Sequence, residues 1–136
     1  MFVDASALCA VLLNEPERVA ILPIIREADE LLISPITIWE TVRAVVRETD
    51  LDPDTARTRV HAFLALNRFD QVMIGPVEEE AAVAAFARYG KTRHPARLNM
   101  GDCFAYACAR AHETTLLFKG EDFARTDIAR VWSGSL

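Results

Sequence analysis

Apolar positions along this chain follow two alternating periods. Short dense runs at residues 2–4, Leu31–Ile33, 70–74 and 116–118 have the length of strands buried on both faces. Longer stretches between them carry apolar side chains three and four apart, the spacing of amphipathic helices. Local chemistry marks where those helices begin and end. Ser6 is placed to cap a helix reaching about Leu13, and a second spans residues 17–28, where Pro23 is expected to kink or interrupt it. Ser34-Pro35 supplies a cap and an N1 proline for a helix to about Glu48. Asp52-Pro53 opens another, with Val60, Phe63, Leu64 and Asn67 at helical spacing. Gly75-Pro76 ends the third strand. Glu78, Glu79 and Glu80 then occupy a first helical turn, where the dipole favours negative charge, and Gly90 stops that helix. Met100-Gly101-Asp102 begins a helix whose Phe104, Ala107, Cys108 and Ala111 share one apolar face, and residues 129–132 read as a last strand.

Regular strand–helix alternation predicts an α/β fold, with a mostly parallel central sheet of four to five short strands and helices on both faces. The 136 residues suit a single domain over 1–136, large enough to bury a core without disulfides or a structural metal. Cys9, Cys103 and Cys108 are odd in number and lie in apolar, helix-like stretches, which argues against a disulfide framework and for a reducing compartment. No Cys/His pairs have zinc-finger spacing. The longest apolar run near the start, residues 5–13, is too short for a membrane span and lacks a basic leader, so the expected location is cytoplasmic.

Formal net charge is −5, which disfavours non-specific binding of nucleic acid. A polyanionic substrate would need local positive charge, and a divalent cation held by an acidic cluster supplies it. Candidates for such a cluster fall where parallel sheets place their sites, beyond the carboxyl ends of the strands. Asp4 closes the first strand, and Asp122 follows the strand at 116–118 across Lys119-Gly120-Glu121. Glu40 stands in a helix amid largely apolar neighbours, and Asp102 in the first turn of the helix that begins at Met100. Two carboxylates about 4 Å apart repel by roughly 4 kcal/mol at an effective dielectric near 20, so a converged group must share protons or hold a cation. All-oxygen ligation suits Mg²⁺ or Mn²⁺. Each residue alone also fits an ordinary role: Asp102 as a dipole partner, Glu40 as a solvated helix residue, Asp4 or Ser6 as a cap. Glu121 and Asp127 compete with Asp122.

The run Met1-Phe2-Val3-Asp4-Ala5-Ser6-Ala7-Leu8 resembles the opening of VapC-type PIN-domain toxins. Leu98-Asn99-Met100-Gly101-Asp102-Cys103-Phe104-Ala105-Tyr106-Ala107 is similar to a second signature of that family, as is the stretch from Leu117-Phe118-Lys119-Gly120-Glu121-Asp122 to Ile128. The segment from Ser34 to Glu40 matches the one that carries a helical glutamate. The matches are collinear and cover nearly the whole chain.

This resemblance implies a PIN-like three-layer α/β/α fold and an Mg²⁺- or Mn²⁺-dependent endoribonuclease that serves as the toxin of a type II toxin–antitoxin system. It also implies an antitoxin partner of the VapB kind and a homodimer. Asp4, Glu40 and Asp102 match the acidic triad, Asp122 the fourth carboxylate, and Ser6 the hydroxyl residue that accompanies the first Asp. Many PIN domains carry the fourth acid two residues earlier, at the position of Gly120, which leaves Asp122 and Asp127 as alternatives.

Arg88, Lys91, Arg93, His94 and Arg97 form the one basic stretch in an acidic chain, and Lys91, Arg93 and Arg97 are candidates to guide an RNA backbone. A solvated loop is the competing reading. His61 and His112 have no metal-type partners and read as structural. The helices containing Val42–Val46 and Val60–Leu66 read as ordinary core, with an antitoxin groove or a dimer face as the alternative. Three other functions were weighed. An acid-nucleophile phosphatase would place an Asp where Ser6 stands. A phosphate-accepting signalling domain would use Lys119 but has no place for Glu40. A non-catalytic binding module would show no metal-dependent cleavage.

Overall fold

The computed structural model describes residues 1–131. Four strands, β1 (Phe2–Val3), β2 (Leu31–Ile33), β3 (Phe69–Gln71) and β4 (Leu116–Leu117), form one sheet in the order β3-β2-β1-β4. Every pairing is parallel, and Phe2 is matched to Leu32 on one side and Leu116 on the other. Helices α1 (Ala5–Leu12) and α2 (Arg18–Glu27) join β1 to β2, and α3 (Pro35–Glu48) and α4 (Pro53–Leu66) join β2 to β3. The chain returns across the sheet to β4 through α5 (Pro76–Tyr89) and α6 (Met100–Ala111).

Alternation along the strands sorts the core into two halves. Val3, Leu31, Ile33 and Leu117 pack under α1 to α4 against Leu8, Ile21, Val45 and Val60. Phe2, Leu32 and Leu116 face the other way, toward Ala85, Tyr89, Tyr106 and Cys108 of α5 and α6. Three layers result, as the strand–helix alternation implies. The chain moves outward on one face and returns on the other, so the direction reverses between β1 and β4. That gap is the topological switch point, where sheets of this kind open a crevice.

Local expectations need four adjustments. The cap of α1 is Asp4, not Ser6: its backbone is extended, at φ −77° and ψ 157°, and its side chain accepts the Ser6 N–H. Ser6 lies two positions past the cap, inside the first turn. Helix α2 runs through Pro23, whose ring is exposed and costs only one backbone hydrogen bond. Strand β3 begins at Phe69 and ends at Gln71, earlier than the apolar run 70–74 suggests. Val72 still donates to the Ile33 carbonyl at 2.8 Å, but Met73 is 82% exposed and has left the sheet. The expected last strand is reduced to a single bridge between Leu116 and Arg130, and Trp132 lies outside the described residues. Among the described residues no helix is long and apolar enough to cross a membrane, and all three cysteines are free.

Helix α6 ends in a Schellman turn: Glu113 N–H bonds the Arg110 carbonyl at 3.1 Å, and Thr114 N–H bonds that of Ala109 at 2.9 Å. The left-handed position of that turn is held by Glu113 at φ 50°, which a residue with a Cβ adopts only at a cost. Glu113→Gly is therefore expected to raise stability by about 0.5–1 kcal/mol, the relief of strain less the added freedom of the unfolded chain. Urea denaturation followed by far-UV circular dichroism measures it, and a lower midpoint would contradict the account.

Candidate active site

The carboxylate of Asp4 is the most enclosed charged group of the protein, with Asp4 4% exposed at the switch point. Its position follows from two roles of the backbone. Asp4 N–H extends the β1–β4 ladder by bonding the Leu117 carbonyl at 2.9 Å, and its side chain caps α1 through Ser6 N–H at 2.9 Å. The Ser6 hydroxyl donates to the same carboxylate oxygen and accepts Lys119 N–H at 3.0 Å. One serine thus ties the first aspartate to the chain leaving β4. Burial pushes the Asp4 carboxyl above its ordinary value, against the Ser6 and Ala5 bonds that stabilise its charge, and the Asp122 charge pushes in the same direction.

Glu40 reaches this edge from α3. Ser34, buried, caps α3 through Thr37 N–H at 3.2 Å, and the Thr41 hydroxyl donates to the Thr37 carbonyl at 2.8 Å. Thr37, Ile38, Thr41 and Val45 form the buried face, which turns Glu40 toward the start of α6. There the carboxylate lies against Gly101. A Cβ on that glycine would stand 1.9 Å from Glu40 Oε1 and 2.3 Å from Oε2, so any side chain there would displace the end of Glu40. The Glu40 carboxyl is raised to about 7, first by burial and then by the charges of Asp4 and Asp102, with Arg43 opposing.

Asp102 is fixed by a reciprocal cap: its N–H bonds Asn99 Oδ1 at 3.0 Å, and its Oδ2 accepts Asn99 N–H at 2.8 Å. Its carboxyl is also raised to about 7 by burial, with the Asn99 bond and Lys91 opposing and the Asp4 and Asp122 charges adding to the rise. Asp122 precedes a short 3₁₀ turn, Phe123–Arg125, and is exposed. The structure therefore brings Asp4 and Asp102 within electrostatic reach of Glu40, and Asp122 within reach of Asp4 and Asp102. It does not bring Asp127, which accepts the Tyr106 hydroxyl at 2.6 Å and pairs with Arg88 at 3.1 Å. The Tyr106 bond holds the Asp127 carboxyl below the ordinary range. Of the two alternatives for the fourth acid, Asp122 is the one whose charge acts on Asp4 and Asp102.

The remaining candidates have distinct surroundings. Residues 91–98 form a pinned loop, closed by Leu98 N–H to the Tyr89 carbonyl at 2.9 Å and anchored by buried Ala96 and Leu98. Lys91 acts on Asp102 from that loop. Arg93 lies over the Phe86 ring at 5.1 Å, and Arg97 is exposed. Arg88 is engaged with Asp127, and His94 Nδ1 accepts Ala96 N–H at 3.1 Å, so neither is available to a substrate. Lys119 is bonded to Glu15 and is not among the charges acting on Asp4, Glu40 or Asp102, which removes the lysine a phosphate-accepting domain would need. His112 caps the end of α6, and His61 lines a surface hollow with Trp39. Gly101 and the Lys119–Glu15 pair carry no signal in the sequence beyond a glycine placed, against helix propensity, beside an acid.

Three of these acids resist ionisation where they stand, and the donors are all carboxylate oxygens, the set that hard divalent cations take. Among the described residues no three His, Cys, Asp or Glu side chains stand close enough, as placed, to share one ion. The fit to a cation rests on the donor chemistry and on the unrelieved charge.

A description of this chain in terms of known proteins agrees with the layout. The PIN domain family model matches residues 1–129. A Mycobacterium tuberculosis ribonuclease, VapC30, is 41% identical over 132 residues, covering 96% of this chain and 98% of its own. A VapC ribonuclease of Rhizobium meliloti is 38% identical over 140 residues, covering 93% and 98%. In fold, the chain is similar to the crystal structure of Mycobacterium tuberculosis VapC20, a Sarcin-Ricin loop cleaving toxin, at TM-score 0.77 and 16% identity over 96% of this chain and 97% of that one. It is similar also to a chain of a toxin–antitoxin complex from Klebsiella pneumoniae, at TM-score 0.65 and 22% identity over 93% and 92%. The chain belongs to the PIN-domain family, among the VapC ribonucleases.

Gly101→Ala is expected to drive the Glu40 carboxyl off its seat and into water. Its titration, followed by carboxyl carbon NMR in chelator, should move from about 7 toward the ordinary 4.5; a midpoint still near 7 would show that the seat is not what holds it. The raised acids also fix the sign of a pH effect. The stability they contribute is fully present below the ordinary values of 3.8 and 4.5 and is lost as pH rises through about 7. In chelator, the melting temperature should therefore fall over that window, and Glu40→Gln should flatten the fall. Identical slopes for the two proteins would remove Glu40 from the account.

Proposed function

We propose that this protein is an endoribonuclease of the toxin kind that hydrolyses RNA phosphodiester bonds with Mg²⁺ or Mn²⁺ at Asp4, Glu40, Asp102 and Asp122. The observation that supports this reading is a single one: acids from separate segments act on one another at the switch point, Asp4 and Asp102 on Glu40 and Asp122 on Asp4 and Asp102, and the Asp4, Glu40 and Asp102 carboxyls are all pushed up. Asp4 and Asp102, on their caps, would hold the cation directly, with Glu40 and Asp122 beside them. When bound, the cation supplies positive charge at the phosphodiester and lowers the pKa of a water.

The chain's own groups do the rest. Ser6 orients Asp4 by two hydrogen bonds to one carboxylate oxygen. Gly101 and the Thr37–Thr41 face fix Glu40. Lys91, beside Asp102, and the exposed Arg93 and Arg97 draw the RNA backbone toward an otherwise acidic surface. The protein acts in the cytoplasm as one half of a toxin–antitoxin pair, as a homodimer restrained by a VapB-like antitoxin. Exposed Val83, Phe86 and Met100 offer apolar surface of the kind that protein partners cover.

The test is cleavage of total cellular RNA by antitoxin-free protein with Mg²⁺, with Mn²⁺ and with chelator, beside Asp4→Asn. Asparagine caps helices as well as aspartate does, so the variant keeps the fold and loses the charge. Metal-dependent cleavage that falls at least about a hundredfold in Asp4→Asn is expected, in line with the charge stabilisation a bound cation provides. Cleavage within about twofold of the parent would remove Asp4 from the reaction.

A further inference from the structure

Trp39 follows none of the rules that place tryptophan. It is 59% exposed, and it stands next to Glu40 in sequence, on the flank of the acidic group. The Arg43 guanidinium lies over its ring at 5.7 Å and also acts on Glu40, so one cation is shared by the indole and the acids. Beside the indole is a hollow of about 290 Å³, lined by Ile38, Trp39, Val42, Arg57, His61 and Gln71. That volume is at the lower end of the roughly 300–1,000 Å³ that holds small ligands.

The walls have two characters. Ile38, Val42 and the indole make an apolar side, while Arg57 and His61, one turn apart on α4, and Gln71, at the end of β3, supply polar ends. Among the described residues none of those three hydrogen-bonds to another side chain. A flat apolar side with a hydrogen-bonding rim suits a planar heterocycle whose edge carries donors and acceptors. A helix-receiving groove would be apolar along its length. The hollow opens past the carboxyl ends of β2 and β3, on the same sheet edge as Asp4 past β1. Adjacent strands are about 5 Å apart, which puts the hollow roughly 5–10 Å along that edge from the acids.

Resting on the nuclease reading above, we infer that this hollow is a nucleobase subsite: one unstacked base of the RNA strand stacks on Trp39 and is read at its edge by Arg57, His61 and Gln71, with its phosphate directed toward Glu40 and Asp4. Single-stranded RNA is recognised by such stacking, and the polar rim gives it a base preference.

The sequence has two tryptophans, so Trp132→Phe leaves Trp39 as the sole indole reporter. In chelator, where no cleavage occurs, this protein is titrated with short homopolymeric oligoribonucleotides of each base and with a ribose-phosphate oligomer lacking bases. Saturable quenching by one base at least about fivefold tighter than by another, and none by the abasic oligomer, is expected. His61→Ala should change the order of the bases. In cleavage assays Trp39→Ala should raise KM about tenfold with kcat within about twofold, and Trp39→Phe should restore most of it. Equal quenching by the abasic oligomer, or an unchanged KM in Trp39→Ala, overturns the subsite while leaving the nuclease in place. Loss of a dimer in Trp39→Ala without quenching by any oligonucleotide also overturns it, and assigns the face to protein contact. Base-selective quenching by a protein that cuts no RNA would sustain the subsite and count against the nuclease.

Discussion

A carboxylate taken out of water is costly unless hydrogen bonds, a proton or a cation compensate it, and Asp4 imposes that requirement on everything around the switch point. Its backbone belongs to the sheet, its side chain caps α1, and it has little freedom to turn away. The other acids arrive on elements whose own packing fixes them: Glu40 by the buried threonine face of α3, Asp102 by the Asn99 cap of α6. The folded state therefore stores an electrostatic demand at the mouth of the crevice, and the hydrophobic layers on either side of the sheet sustain it. Sites that bind cations tightly are built this way, with stability given up locally for a preorganised set of ligands.

The same crowding reconciles an acidic protein with a polyanionic substrate. Net charge governs encounter at long range, where physiological salt screens it within about 8 Å. Near the site, the groups that matter are few. Lys91 acts on Asp102 and Arg43 on Glu40, so positive charge stands beside two of the acids. Arg88, by contrast, is already engaged with Asp127. A basic stretch in a sequence thus resolves into residues that face the crevice and residues that brace the fold.

Much of the architecture was legible in the pattern of residues, because strands buried on both faces and capped amphipathic helices leave strong local marks. The four strands and the proline starts of α3 and α4 follow from period and cap, and sheet topology already puts Asp4 and Asp122 past strand ends. Other features depend on contacts between distant segments and leave no local trace. Both Asp4 and Ser6 are good caps by composition, and only the path of the chain out of β1 selects the aspartate. Apolar character carried the reading of β3 through Ile74, but the layer that would cover Met73 is missing there. Asp122 and Asp127 are equivalent in sequence, and Tyr106, 21 positions away, separates them by taking Asp127 for itself. Gly101 reads as a poor helix former until Glu40 is seen against it.

The departure at Gly120 has a structural reason. Past β4 the chain must turn within a few residues to bring an acid back over the crevice. Gly120 makes that turn with φ +99°, a conformation that a residue with a Cβ rarely adopts. Lys119 before it is held through its N–H by Ser6 and through its ammonium by Glu15. Phe123 beyond it packs on Phe118, with ring centroids 5.0 Å apart, and fixes the 3₁₀ turn that follows Asp122. An aspartate at position 120 would have to abandon the left-handed turn, and with it the Phe118–Phe123 contact that seats the loop. Asp122 lies instead on the returning limb, two residues later, beside the Phe118–Phe123 contact, and from there its charge acts on both Asp4 and Asp102.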